Sequence, residues 1–315
     1  MKIKVLTGYR LLFLLMFAAL ITISACNNSA TIEISRQVFT FASGQHVYIS
    51  TWPEEQSFQV AEGSDPSLSH DGRYLAYSTT VGEKRRIGIT DLNINNRWII
   101  EDIHGAGFQP QWSPREDKLL FTALTRIGQS SIQVIVIYDP ITKLESAITL
   151  PGNSLYSPVW GPEGITILAH DTHTLYEWNL KGKLLHTVPL EIFGPFHYSS
   201  NHYFRPSHDR LLWLFEAYEE APTKKDPSRQ QAGVYLFDVT KNTSQRITPA
   251  AISTSSFCWG PDQQSVIVSA IPGDHDEPSE QDRLMEYSLQ GELTHQWPQT
   301  GLTPGYYKIT SLIKK

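Results

Sequence analysis

The sequence predicts an all-β chain folded as a six-bladed β-propeller, with one blade closed by strands from the two ends of the chain. Two observations support this prediction. A short motif returns five times between residues 64 and 299, at intervals of 44 to 55 residues. Each interval also has room for four short strands separated by turn residues. A repeat of about 40–50 residues that is built from strands is typical of β-propellers.

The motif is clearest in its second copy, FQPQWSPREDKLLFT at 108–122. The other copies read DPSLSHDGRYLAYST at 65–79, SPVWGPEGITILA at 157–169, RPSHDRLLWLF at 205–215 and SFCWGPDQQSVIVSA at 256–270. We align the five copies on one anchor residue each, which gives Leu68, Trp112, Trp160, Phe204 and Trp259. These anchors lie 44, 48, 44 and 55 residues apart, and the fourth copy owes its place to this spacing.

The strands inside one unit follow from alternating apolar residues and turn residues. In the second copy, strand A is Gln109–Trp112, and the turn 114–117 leads to strand B at Lys118–Ala123. Strand C is Ile132–Tyr138, and strand D is Glu145–Leu150. Four antiparallel strands of this kind make one blade.

The two ends of the chain together supply the material for the remaining blade. Residues 37–62 contain three short β-like runs, Val38–Phe41, His46–Thr51 and Ser57–Val60, which resemble strands B, C and D without a strand A. One unassigned run, Gly305–Leu312, remains after the fifth copy. We expect it to complete the sixth blade, because ring closure removes the exposed edges of an open array. The propeller domain is therefore predicted to span 37–313.

The motif resembles the WD40-like (PD40) repeat of TolB-type propellers, whose units read roughly Pro-x-Trp-Ser-Pro-Asp-Gly before an apolar strand. The five copies of this chain cover residues 64 to about 299. The resemblance implies a propeller that binds a protein partner, as TolB propellers bind a peptidoglycan-associated lipoprotein across one face. The repeat marks the scaffold, so no contact residue is carried over from the family.

The first 25 residues are typical of a secretory signal peptide. Lys2, Lys4 and Arg10 precede the apolar run Leu11–Ile23, and small residues follow it. This run is shorter than the roughly 20 apolar residues that a membrane-spanning helix needs. We therefore predict that residues 1–25 are removed on export.

The residues Ile23-Ser24-Ala25-Cys26 resemble the lipobox of bacterial lipoproteins. The resemblance implies lipidation of Cys26, a tether over 26–36, and a cell-envelope protein that is anchored to the membrane and faces the periplasm or the cell exterior. The alternative is an ordinary signal peptide with a chance cysteine at its end. Cys258 is the other cysteine of the chain, and we interpret it as a small core residue.

The composition and the absence of several catalytic motifs argue against some classes of function. The net charge is −6, and it becomes −9 without residues 1–25, which carry three positive and no negative charges; nucleic acid is therefore not an expected partner. The sequence lacks Gly-x-Ser-x-Gly, His-Glu-x-x-His and phosphate-loop motifs, and no cofactor is expected. The leading interpretation is a non-enzymatic scaffold for an envelope protein, attached to the membrane through its lipid.

Two long polar segments, Glu219–Gly233 and Ile271–Arg283, are expected as B–C loops of adjacent blades on one face. They form a candidate rim for a protein partner, and the alternative is a pair of solvated insertions. The candidate contact residues of this rim are Glu219, Glu220, Lys224, Lys225, Asp226, Arg229, Asp274, His275, Asp276 and Glu277.

The alternative function is a saccharide-binding or metal-dependent, polysaccharide-lyase-like propeller. It depends on histidines near two loops, 170–173 and 194–209, which we expect on the same face as the rim. Imidazole groups suit a transition metal where three or four of them converge, but histidines are also common in surface loops. The candidate ligands are His170, His173, His197, His202 and His208.

Overall fold

The computed structural model contains six four-stranded antiparallel sheets, arranged as a six-bladed propeller. The predicted fold class is thereby confirmed. All the described strands lie in one compact unit, Arg36–Lys315. The structure describes residues 37–52, 57–101, 105–127, 130–220, 232–260, 263–272, 283–297 and 312–314.

Blades 2 to 6 follow one another along the chain, and each contributes its strands in the order A to D. Blade 2 contains β4 (Ser64–Leu68), β5 (Tyr74–Val81), β6 (Lys84–Asp91) and β7 (Asn96–Ile100). Blade 3 contains β8 (Ala106–Trp112), β9 (Leu119–Ile127), β10 (Ser130–Asp139) and β11 (Leu144–Ile148). Blade 4 contains β12 (Tyr156–Trp160), β13 (Thr166–His170), β14 (Thr174–Asn179) and β15 (Leu184–Pro189).

A 3₁₀ turn, η1 (Leu190–Phe193), leads from blade 4 to blade 5. Blade 5 contains β16 (Phe204–Pro206), β17 (Leu212–Ala217), β18 (Gly233–Asp238) and β19 (Thr243–Arg246). Blade 6 contains β20 (Ile252–Trp259), β21 (Ser265–Pro272), β22 (Arg283–Ser288) and β23 (Leu293–Gln296). Within the described ranges, no helix is both long and apolar enough to cross a membrane.

Blade 1 joins the two ends of the chain. The N-terminal part supplies β1 (Gln37–Ser43), β2 (His46–Trp52) and β3 (Ser57–Glu62), and β24 (Leu312–Lys314) pairs with β1 from the other side. The predicted closure by both ends is confirmed. The closing strand begins at the last residue of the run predicted for it, and residues 305–311 of that run lie outside the described part of the chain.

The anchors of four copies occupy one position, the last residue of strand A in their blade. In blade 5 that position belongs to Pro206, and Phe204 lies two residues earlier. The predicted anchor Phe204 was therefore wrong, and the intervals around blade 5 become 46 and 53 residues. The error has a physical cause, because Phe204 is a fully buried aromatic residue that stands where the A strands of blades 2 to 4 have proline. The four correctly aligned anchors are Leu68, Trp112, Trp160 and Trp259.

Strand A is kinked at one place in three consecutive blades. Asp65, Gln109 and Ser157 have positive φ angles of 53°, 56° and 46°, and each lies where the pairing with strand B shifts its register. A proline follows each of these residues. Because proline has no N–H group, it fits a bulge where the ladder is interrupted. The repeated x-Pro pair thus fixes the same bulge in each blade.

The apolar core lies between neighbouring blades. The largest cluster joins blades 4, 5 and 6. Phe193 of η1 is 3% exposed and places its ring 5.1 Å from that of Phe204, 5.2 Å from that of Phe215 and 5.1 Å from that of Phe237. The connection between blades 4 and 5 is therefore part of the core rather than a free loop.

Hydrogen bonds also join neighbouring A strands. The indole Nε1 of Trp160 donates to the carbonyl oxygen of Gln111 in the preceding blade at 2.9 Å. Trp259 donates in the same way to Arg205 at 3.0 Å. In the described part of the chain, the equivalent Nε1 of Trp112 is buried and has no hydrogen-bond partner. The same residue type at the same position is thus satisfied in two blades and unsatisfied in a third.

This difference predicts unequal effects of two matched substitutions. Trp160→Phe removes an indole hydrogen bond and leaves a buried carbonyl without its partner, whereas Trp112→Phe removes a buried donor that has none. Both residues are similarly buried, at 8% and 6% exposure, so the loss of ring volume is shared. We expect Trp160→Phe to lower the free energy of unfolding by about 1 kcal/mol more than Trp112→Phe does. Urea unfolding of both variants measures this, and equal losses would contradict the assignment.

Candidate functional site

A cavity of about 290 Å³ opens at the end of the A strands where they turn into the B strands. We call this end the A–B face; it also carries the C–D turns. The cavity is lined by the residue that precedes the anchor position in five blades, namely Ser67, Gln111, Val159, Arg205 and Cys258. Because five blades contribute equivalent residues, the cavity lies between the innermost strands, at the mouth of the central channel.

Aromatic residues form much of the cavity wall. Trp112, Trp160 and Trp259 come from blades 3, 4 and 6. At the rim, the backbone N–H of His208 donates to Oε1 of Gln263 at 2.8 Å, which joins the A–B turns of blades 5 and 6. A concave site that combines aromatic walls with several polar side chains is typical of binding sites for ligands and for anchor side chains of protein partners.

Cys258 forms part of the cavity wall. Its side chain is 3% exposed, and burial raises the pKa of the thiol to about 12, although the charge of Arg205 acts in the opposite direction. The sulfur therefore stays protonated at neutral pH, and only a thiolate is a good nucleophile. The structure thus supports the interpretation of Cys258 as a core residue.

The two described residues of the predicted partner rim lie at the opposite end of blade 5. Glu219 and Glu220 follow β17, on the face that carries the B–C turns, which we call the B–C face. The Glu219 carboxylate accepts hydrogen bonds from the Tyr235 hydroxyl at 2.9 Å and from Arg246 at 3.3 Å. These bonds connect Glu219 to strands β18 and β19 of its own blade. The remaining rim candidates lie outside the described residues: Lys224, Lys225, Asp226, Arg229, Asp274, His275, Asp276 and Glu277.

The five candidate histidines do not form one cluster. His170 and His202 are buried, and Nε2 of His170 lies 2.8 Å from the carbonyl oxygen of His202. His173 and His197 are exposed on the B–C face. His208 follows β16 and lies on the A–B face, at the rim of the cavity.

The Nδ1 atom of each buried imidazole accepts a hydrogen bond from a backbone N–H group. The N–H of Thr172 donates to Nδ1 of His170 at 3.1 Å, and the N–H of Ser199 donates to Nδ1 of His202 at 3.2 Å. Both rings are therefore neutral and hold the connection between blades 4 and 5 in place. Among the described residues, no group of three or more His, Cys, Asp or Glu side chains is placed to hold a metal ion.

Burial controls the titration of both histidines. Desolvation lowers the pKa of His170 from 6.5 to about 4, although its bond to the His202 carbonyl and the charge of Asp171 oppose this shift. Desolvation also lowers the pKa of His202 to about 3, and His170 adds a smaller repulsion. Each ring must lose its hydrogen bonds or accept a buried charge before it can be protonated.

The structure therefore predicts acid-sensitive stability. Both folded-state pKa values lie below the unfolded value of 6.5, so the unfolded chain binds more protons and stability falls as the pH drops below 6.5. Between pH 7 and pH 5.5 we expect a loss of about 1 kcal/mol for each buried histidine. Urea unfolding across this pH range should show that His202→Phe reduces the slope of stability against pH. The exposed His197→Phe is the matched control, and an equal slope in wild type and in His202→Phe would contradict the prediction.

Sequence reasoning missed the cavity. The misplaced anchor Phe204 put Arg205 one position after the anchor, although it belongs one position before it. With Pro206 as the anchor, Arg205 aligns with Ser67, Gln111 and Val159, which all line the cavity. The signal that could have shown this was the common Ser207-x-Asp209 ending, which matches Ser69-x-Asp71 in blade 2.

That ending also has a structural reason. The Ser69 hydroxyl donates to Asp71 at 2.6 Å in the A–B turn of blade 2. The Ser207 hydroxyl makes the equivalent bond to Asp209, also at 2.6 Å, in the A–B turn of blade 5. The two turns therefore contain the same serine–aspartate hydrogen bond, so Ser69 and Ser207 are equivalent positions in the alignment of the repeats.

No family model matches the chain, and no curated protein matches it at the sequence level. Solved structures do resemble it. TolB from Acinetobacter baumannii gives a TM-score of 0.61 at 16% identity, over 89% of this chain and 66% of that one. A putative TolB from Agrobacterium tumefaciens gives 0.56 at 13% identity, over 86% of this chain and 91% of that one.

The tricorn protease gives a TM-score of 0.53 at 10% identity, over 80% of this chain and 30% of that one. Identities this low show a shared fold. This chain spans about two thirds of the length of the Acinetobacter protein. The chain is thus a six-bladed propeller that is similar to TolB propellers, as its repeat motif predicts.

Proposed function

We propose that the protein is a non-enzymatic binding scaffold of the cell envelope, and that its central cavity receives a segment of a partner protein. The observation that carries this proposal is the cavity of about 290 Å³ on the A–B face with three tryptophans in its wall. Tryptophan is enriched among the residues that dominate binding energy at protein interfaces, because it offers a large apolar surface and one polar N–H group.

The cavity is built on strands rather than on loops. Trp112, Trp160 and Trp259 are the last residues of β8, β12 and β20, and two of their indoles are fixed by hydrogen bonds between blades. A site that is already formed loses little conformational entropy when a ligand binds. This rigidity favours recognition of one extended segment over adaptation to many partners.

Exposed apolar side chains on the same face supply a surface for the body of a partner. They lie in the A–B and C–D turns of blades 2 to 5 or next to these turns. A recessed aromatic site with surrounding apolar contacts is the usual anatomy of a protein interface. These side chains are Ile94, Ile141, Leu144, Ile165 and Leu211, with exposures of 68%, 78%, 70%, 48% and 46%.

The saccharide or lyase alternative gains no specific support from the residues that suggested it. It required the histidines to line one funnel, and the imidazoles of His170 and His202 are buried against backbone groups. His208 lies on the other face. We therefore keep saccharide binding as an outcome of the tests below rather than as a second proposal.

Site-specific photocrosslinking in cells tests the proposal. We replace exposed residues with a photoreactive amino acid: His208 at the cavity rim, Glu220 on the B–C face and His197 as a control. The expected result is a specific adduct with one envelope protein from position 208, because a segment in the cavity passes within reach of that rim. Mass spectrometry identifies the captured protein.

The three positions separate the competing sites. An adduct from position 220 alone would place the partner on the predicted rim of loops Glu219–Gly233 and Ile271–Arg283, and would contradict the cavity as the site. Equal background from all three positions would argue against a protein-binding scaffold. In that case, purified protein screened against polysaccharides becomes the informative experiment.

The envelope location depends on Cys26, which lies outside the described residues. We expect Cys26→Ser to abolish incorporation of labelled lipid and to move the protein from the membrane fraction to the soluble fraction, since the acyl chains of that cysteine would be its anchor. Cys258→Ser is the matched control, because the Cys258 thiol is buried in blade 6. Membrane association that persists in Cys26→Ser would contradict lipid anchoring.

A further inference from the structure

The ring of residues around the channel mouth contains one cationic side chain. The residue before the anchor position is Ser, Gln, Val, Arg and Cys in blades 2 to 6, so Arg205 alone brings a formal charge to this described ring. A guanidinium group stays protonated at every physiological pH. Among the described residues of the cavity wall, no acidic residue, and no second Lys or Arg, is present.

The guanidinium of Arg205 lies between aromatic rings. Its central carbon is 5.0 Å from the ring centre of Tyr203 and 5.7 Å from that of Phe257. Such contacts orient a cation over the negative face of the ring. They use the face of the guanidinium and leave its N–H edges available for hydrogen bonds.

At least one of these N–H groups has no protein acceptor among the described residues. Within the described part of the chain, Nε of Arg205 is buried without a hydrogen-bond partner. Burial lowers the pKa of Arg205, and the opposing electrostatic interactions with Tyr203, Cys258 and Glu216 do not offset this effect. A desolvated cation without a paired anion is costly, so this arrangement indicates a ligand that brings the anion.

We propose that Arg205 binds a carboxylate group of the protein segment that enters the cavity, from its C-terminus or from an Asp or Glu side chain. This inference rests on the proposed function and names the chemistry that the partner must carry. A single guanidinium matches a single negative charge through paired N–H···O bonds. A phosphate group, with a charge near −2, is more often held by several cations.

The cavity wall explains which carboxylates would be preferred. Trp112, Trp160 and Trp259 form part of the cavity wall. A ligand in which a carboxylate is attached to an apolar or aromatic group can therefore pack against the tryptophans and bind the guanidinium at the same time. A free inorganic anion would bind the guanidinium but make no apolar contact with the tryptophans. We therefore choose indole-3-acetate as the probe, and its neutral isostere indole-3-acetamide as the matched ligand.

Equilibrium dialysis of the full-length protein in lipid nanodiscs compares the two probes. We expect wild-type protein to bind indole-3-acetate about tenfold more tightly than the amide, as a charge-assisted hydrogen bond predicts. Arg205→Gln should remove this preference, and Arg205→Lys should retain part of it. Arg126→Gln, at an exposed position near the B–C end of β9, is the matched control and should keep the preference.

The outcomes distinguish the inference from the function on which it rests. If both probes bind equally to wild-type protein, the cavity binds apolar ligands and the carboxylate inference is overturned. A preference that survives in Arg205→Gln also overturns it. If neither probe binds, both proposals fail. Tighter binding of D-glucuronate than of indole-3-acetate would replace the protein segment with an acidic saccharide.

A stability measurement keeps the test decisive if a variant folds poorly. Because Arg205 is a buried cation without a paired anion among the described residues, Arg205→Met should unfold at the same temperature as wild type or at a higher one. A structural residue would behave in the opposite way. A fall of several degrees in the melting temperature of Arg205→Met would show that the guanidinium supports the fold, and would overturn the assignment.

Discussion

The pairing of β24 with β1 closes the ring of six blades. Three residue pairs, from Gln37↔Lys314 to Phe39↔Leu312, join the ends of the chain in blade 1. Without them, six sheets would form an open arc with an exposed strand edge, and such edges invite aggregation. Closure makes the A strands converge on one axis. The channel, its mouth and the cavity are all consequences of this short ladder.

Alternation within strand A then decides which side chains reach the channel. Successive residues of a strand point to opposite faces, so an anchor such as Trp160 contacts the neighbouring blade while the preceding Val159 lines the axis. The Nε1 bonds of Trp160 and Trp259 to the preceding blade fix this alternation between blades. In blades 4 and 6 the anchor tryptophan therefore joins adjacent blades and also forms part of the cavity wall.

The sequence was sufficient for the fold because the repeat appears in local signals. Three of these signals can be read directly from the sequence: Pro and Gly in the turns, alternating apolar residues, and the regular spacing of Trp112 and Trp160. The site was not predictable in the same way. Arg205 lines the cavity because of its position in β16, and a two-residue error at Phe204 hid that position. The burial of His170 and His202 also depends on tertiary contacts that no spacing reveals.

Blades 4 and 5 and the connection between them contain several buried polar features that are unfavourable for stability. The two neutral histidines, the bulge at Ser157 and the unpaired guanidinium of Arg205 all lie in these blades or in their connection. Phe193, Phe204 and Phe215 form a dense aromatic cluster at the same place. Strong local packing allows a protein to keep a costly charge where a ligand needs it. The charge lies where the ring is best packed, and this placement favours a binding role over a structural one for Arg205.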